Sequence, residues 1–128
     1  MTSEEIHAVH LAVYHDRRVS MPAHLTVAFD RAVTLAREAG VSFPPGQVVV
    51  WTYQGRDDEP SVAFFKDRPV RVYLNLGLPF RTAAEWIRHI LHELAHAFFD
   101  ARQDIGVLQR EMRAEAFAQR AMQRYGGR

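Results

Sequence analysis

Thr82-Ala83-Ala84-Glu85-Trp86-Ile87-Arg88-His89-Ile90-Leu91-His92-Glu93-Leu94-Ala95-His96 is the stretch on which the reading of this chain turns. Thr82 followed three residues later by Glu85 is a capping box, which satisfies free N–H groups at a helix start. Ile87, Leu91, Leu94 and Phe98 recur at helical spacing, so the spacing predicts an amphipathic helix running to about Arg102. At 100° per residue, His92 and His96 lie about 140° and 180° round from Ile87, one turn apart on one face. Glu93 falls about 240° round, beside that face and off the apolar stripe.

Two imidazoles four apart on a helix can bind one zinc ion, and a Glu following the first can take a proton from water activated there. His92-Glu93-Leu94-Ala95-His96 is thus an HExxH motif with His92 and His96 as metal ligands and Glu93 as general base. The competing reading of the same residues is a metal-free helical surface with coincidental spacing. Catalytic zinc takes three protein ligands and leaves one position open. No His follows His96, so a third ligand downstream is an acid. A metzincin pattern is excluded, because Arg102 and Phe99 stand where its ligand and glycine belong.

Working outward, Val70, Val72, Leu74 and Leu76 alternate with Arg71, Tyr73 and Asn75, which predicts a half-buried strand immediately before the motif helix. Val48 to Tyr53 and Val62 to Phe65 read as further strands, separated by a polar loop at 54–60. Upstream, Ser3 is expected to cap a helix over 3–15 with a stripe of Ile6, Val9, His10, Val13 and Tyr14. A second helix follows Met21-Pro22, carries Leu25, Ala28, Phe29, Ala32, Leu35 and Ala36, and stops at Gly40. Downstream, Gln103 to Gly106 breaks the motif helix, and Val107 to Tyr125 forms the last one. Helices first, then strands, then helices suit an α+β fold: a small three- or four-stranded sheet packed on the HExxH helix.

The last helix holds the leading candidates for the third ligand. Glu111 and Glu115 share one face and border the buried stripe, where a carboxylate needs a partner. Glu111 lies just past the turn and is expected to ligate the metal. Glu115, one turn deeper, is expected to accept the other proton of a ligand imidazole. Asp100 and Asp104 are the alternative ligands; Asp100, one turn past His96, could instead stand behind a ligand imidazole or be a solvated helix-end acid, and a surface ladder with Arg110, Arg113 and Arg120 is the competing reading of Glu111 and Glu115.

The chain has 128 residues, enough for one domain over 1–128. Hydrophobic residues make up 48%, so the body should fold around a core. The formal charge of +1 offers no broad field for nucleic acid or an anionic membrane, and neither is expected as a partner. Absence of Cys excludes disulfides, thiol catalysis and Cys-based metal sites. No apolar run is long enough to span a membrane and no signal peptide is visible, so the cytoplasm is the default location. His7, His10, His15 and His24 stand without paired acids and read as surface or packing residues.

At this point the chain resembles the gluzincin group of zinc metallopeptidases, in which the HExxH helix is followed by a helix carrying a Glu ligand. Glu111-Met112-Arg113-Ala114-Glu115-Ala116-Phe117-Ala118 is similar to the E-x-x-A-x-x-F-A pattern of the ImmA/IrrE family of small intracellular metallopeptidases. The link of 14 residues from His96 to Glu111 is short for that family, and a minimal single-domain zincin is resembled equally. The resemblance implies zinc held by His92, His96 and Glu111, Glu93 as base, Glu115 in support, and hydrolysis of a protein or peptide substrate. A zincin-fold metal-binding regulatory protein with little turnover is the alternative. Strand addition of the substrate to 70–76 or 62–65 is expected, with His89, Tyr73 or Tyr53 as a candidate oxyanion donor.

Overall fold

A computed structural model describes residues 2–66, 68–100 and 105–126. The side chains of Ile6 and His7, and the whole of Arg102 and Asp104, lie outside the described residues. The architecture is α+β, as the order of patterns predicted. In chain order it runs α1 (Ser3–Asp16), β1 (Arg18–Val19), α2 (Ala23–Glu38), β2 (Val48–Tyr53), β3 (Val62–Phe64), β4 (Val70–Asn75), α3 (Ala83–Ala95), a π-helical segment (His96–Asp100) and α4 (Val107–Gly126). No helix among the described residues is long and apolar enough to cross a membrane.

The four strands lie in the order β1-β2-β4-β3. β2 and β4 are parallel, with Val50 opposite Val72, while β1 and β3 run antiparallel on the two edges. β1 has only two residues and carries no sequence signal of its own; it forms because the chain leaving α1 passes Thr52, whose hydroxyl donates to the Val19 carbonyl at 2.8 Å. One face of the sheet contributes Val70, Val72 and Leu74 to a single apolar cluster with α2, α3 and α4. Leu25, Ala32 and Leu35 of α2, Leu91 of α3, and Ala118 and Ala121 of α4 are fully enclosed in it. Gly40 ends α2 at φ 94°, a left-handed position that glycine takes without strain.

The opposite face of the sheet corrects the expectation for β4. Tyr73 and Asn75 were expected on a polar face, yet both are fully buried. Tyr14 at the end of α1 packs on Tyr53 and Tyr73, so α1 closes over them. Asn75 is held by the loop at 54–60: its amide donates to the carbonyls of Arg56 and Glu59 at 2.7 and 2.8 Å. α1 is capped at Thr2, one residue before the expected position, the Thr2 hydroxyl accepting from Glu5 N–H at 3.1 Å; the side chain of Ser3 lies outside the described residues. Its expected stripe is only partly used: Val9 and Val13 are exposed and Tyr14 makes the contact.

The motif helix begins as predicted, with Thr82 accepting from the Glu85 N–H at 3.2 Å and the Glu85 carboxylate accepting from the Thr82 hydroxyl at 3.0 Å. Its far end differs. Regular α-helix stops at Ala95, and His96–Asp100 winds as a wider π-helical turn. Such turns are uncommon and concentrate at functional sites. Here the wide turn begins at the second motif histidine.

Candidate metal centre

His92 and His96 project from consecutive turns of α3 and its π-helical continuation, and α4 returns alongside. The three groups expected to bind a metal converge. Nε2 of His92 and Nε2 of His96 stand 3.1 Å apart. The Glu111 carboxylate faces both, with Oε2 3.0 Å from His92 Nε2 and Oε1 3.0 Å from His96 Nε2. His92, His96 and Glu111 form a group that could hold a metal ion.

Each imidazole's other nitrogen has its own carboxylate. His92 Nδ1–H donates to Glu115 Oε2 at 3.2 Å, the contact expected of Glu115. His96 Nδ1–H donates to Asp100 Oδ2 at 2.8 Å. Asp100 therefore stands behind His96, at Nδ1, and not beside the two Nε2 atoms. The wide turn keeps its carboxylate beneath His96. Each supporting acid is in turn paired with an arginine: Arg88 with Glu115, and Arg113 with Asp100 at 2.9 Å. Arg113 thus leaves the expected surface ladder to pair inward.

These contacts determine what the centre can do. With a carboxylate on each Nδ1–H, a neutral imidazole presents an unprotonated Nε2. Two such lone pairs and a carboxylate then meet within about one hydrogen-bond length. Three acceptors with no donor among them are relieved by a cation between them, either a metal ion or a proton on one Nε2 that donates to Glu111.

Glu93 corrects the helical-wheel expectation. It was placed off the core, but it is 7% exposed. The wheel describes α3 alone, whereas α4 packs against it and residues of β3 and the start of α4 share a cleft with Glu93. Burial, with the negative charge of Glu111 and Asp100 adding to it, pushes the Glu93 carboxyl up to about 8. Glu93 lines a cleft of 230 Å³ that also contains His96 and Glu111. The cleft is walled by Val62, Ala63 and Phe65 on the sheet side and by Val107 and Arg110 at the start of α4. A second hollow, of 300 Å³, lies beyond His92 and is bounded by Phe80, Arg88, His89 and Glu115; Glu93 borders this one too.

Of the two strands considered for strand addition, β4 is interior, flanked by β2 and β3, and has no free edge. β3 is the edge strand and borders the cleft. Among the candidate oxyanion donors, Tyr53 and Tyr73 are not brought to the site. The Tyr53 hydroxyl donates to the Pro60 carbonyl, and the Tyr73 hydroxyl bonds His15 Nδ1 at 2.7 Å. His89 lies at the edge of the second hollow, with Nε2 2.6 Å from the Ser61 hydroxyl. Ser61 also accepts from the Asn75 backbone N–H at 2.9 Å. Neither Ser61 nor Asn75 stood out in the sequence, because a lone Ser in a loop and a polar residue in an alternating strand are commonplace. Of the upstream histidines, His15 packs edge-on to Trp51, and His10 and His24 are exposed.

Comparison with family models, curated proteins and solved structures finds no match for this chain.

Proposed function

We propose that the protein is a zinc-dependent metallopeptidase of the gluzincin type. The observation that carries this reading is the convergence of His92 Nε2, His96 Nε2 and Glu111 at 3.0–3.1 Å, with a carboxylate behind each imidazole. Tetrahedral donors about 2.05 Å from zinc stand roughly 3.3 Å apart, close to the spacing found. Two imidazoles and one carboxylate are a known donor set of catalytic zinc, which keeps a fourth position open. Within that class, the E-x-x-A-x-x-F-A pattern from Glu111 to Phe117-Ala118 favours a relative of the ImmA/IrrE peptidases or a minimal single-domain zincin. The cytoplasm is the compartment this reading assumes.

Zinc, when bound, polarises a carbonyl and lowers the pKa of water beside it. This chain's residues supply the rest. Glu93 takes the proton of the attacking water and returns it to the leaving amine nitrogen. Its burial makes the carboxyl a willing proton acceptor, and a nearby dication acts against that upward shift. Glu115 and Asp100 hold the imidazoles in the tautomer that leaves Nε2 free. β3 offers an extended peptide backbone partners along the cleft.

The test is a zinc-loaded protein digesting a peptide library, read by mass spectrometry. Wild type should cleave and hold about one zinc per chain. Glu93→Gln should hold the same zinc and cleave at least a hundredfold more slowly. Zinc without cleavage in wild type would favour the metal-holding regulatory protein. No zinc at all would end both readings.

A further inference from the structure

We propose that Arg110 is a specificity-determining residue that recognises a carboxylate on the substrate, an acidic side chain or a free C-terminus; this rests on the peptidase reading of the adjoining centre. The first ground is its position. Ala114, Phe117 and Ala121 mark the buried side of α4, and helical periodicity carries that line back to Arg110. One turn before Ala114 the core has given way to the cleft that holds His96 and Glu111, and Arg110 lines it. Arg110 therefore holds an inward-facing position at the mouth of the candidate centre.

The second ground is what the guanidinium lacks. Arg88 and Arg113, which also face the centre, have Glu115 and Asp100. Arg110 has no acidic partner among the described residues. Its Nε donates to the Ile105 carbonyl at 3.1 Å, and its guanidinium lies 5.4 Å from the centre of the Phe65 ring. These two contacts hold the guanidinium, and neither Nη group has a carboxylate partner among the described residues. A planar cation held this way is organised in advance for a planar anion, which it meets with two parallel hydrogen bonds.

The acids nearby do not cancel the attraction. Asp100 is engaged by Arg113 and His96, and Glu111 is turned toward the two Nε2 atoms, where the peptidase reading commits it to the metal. β3 runs along the same cleft, so a peptide extended beside Val62 and Ala63 passes Arg110 close to the reacting bond. The consequence is selectivity for sequences with a carboxylate a fixed number of residues from that bond.

The experiment uses the full-length, zinc-loaded Glu93→Gln protein on an array of peptides that differ in pairs: Asp against Asn, Glu against Gln, and C-terminal acid against C-terminal amide. Acid members should be retained roughly ten- to a hundredfold better than their amide twins. Arg110→Gln, in the same background, should bring the ratio near one, and Arg110→Lys should give an intermediate ratio because it keeps the charge but loses the fork. The pair type that shows the effect tells a side-chain acid from a chain terminus. No acid preference, or one unchanged by Arg110→Gln, overturns the proposal. If Arg110→Gln fails to hold zinc, Arg110→Lys decides: a ratio equal to that of the parent protein overturns it. If the acid preference follows Arg110 but wild type hydrolyses nothing, recognition stands and the peptidase reading fails.

Discussion

His96 and Asp100 are joined, Nδ1–H to Oδ2, at 2.8 Å across the wide turn that follows the α-helical part of the motif. Arg113, from the next helix, holds the other Asp100 oxygen at 2.9 Å. The orientation of a candidate ligand imidazole thus depends on a residue four positions on and on a cation from a separate element. If His96 ligates zinc, Asp100→Asn should weaken zinc binding about 10- to 100-fold. Arg113→Met should weaken it less, because the carboxylate remains. Competition with a chromogenic chelator measures both, and equal zinc affinity in Asp100→Asn and wild type would show that the contact does not support the metal.

Glu111 and Glu115 are one turn apart and face different atoms of His92, Nε2 and Nδ1 respectively. Alanine at the two positions should therefore separate. If Glu111 ligates zinc, Glu111→Ala removes a donor and should abolish tight binding. Glu115→Ala removes a support and should reduce affinity about 10- to 100-fold. The chelator competition that reports on Asp100 also ranks these two. The reverse order would exchange the roles assigned to the two acids.

His89 should give the protein a pH-dependent stability. Burial, with a smaller contribution from His92, pulls its imidazole down to about 4. The unfolded chain takes up this proton near pH 6.5. Between 4 and 6.5 the unfolded state binds more protons at this group, so the His89 contribution falls as pH drops through that window and is fully present above it. Glu93, pushed up to about 8, contributes in the opposite sense between about 8 and 4.5, so the test is a difference between two proteins. His89→Gln should be more stable at pH 4.5, relative to pH 7.5, than wild type is. Urea midpoints at the two pH values are the measurement, and an equal change in both proteins would exclude His89 as a cause.

Leu91 is fully buried between the sheet and the helices, whereas Leu108 is 72% exposed. Leu91→Ala should cost about 2–5 kcal/mol. Leu108→Ala should stay within about 0.5 kcal/mol of wild type. Chemical denaturation compares them. A mild loss at Leu91 would mean that α3 is not packed as described.

Local physics settled most of the elements from sequence. Thr82 and Glu85 announce a helix start because both halves of a capping box lie within one turn. Val70 to Leu76 announces a strand because alternation is a property of the backbone itself. His92 and His96 share a face for the same reason, and Glu111 and Glu115 likewise. The wheel still misplaced Glu93, since burial is decided by what covers a face, and β3 and α4 arrive from distant parts of the chain. Tyr73 and Asn75 were misplaced for the same cause, with α1 and the loop at 54–60 as the covers.

Sequence by itself determined the α+β order, the pairing of His92 with His96, and the short list of acids that can join them, because each follows from helical or strand periodicity over a few residues. Only the tertiary structure decided that α4 returns with Glu111 toward both Nε2 atoms, that Asp100 supports His96, and that Arg113 reaches Asp100 while Arg110 has no acidic partner among the described residues. These relationships cross the turn between two helices or depend on a π-helical winding. Periodicity within one element cannot specify the distance between two, and it is that distance, set by how α3 and α4 pack, which separates a metal centre from a pair of helical surfaces.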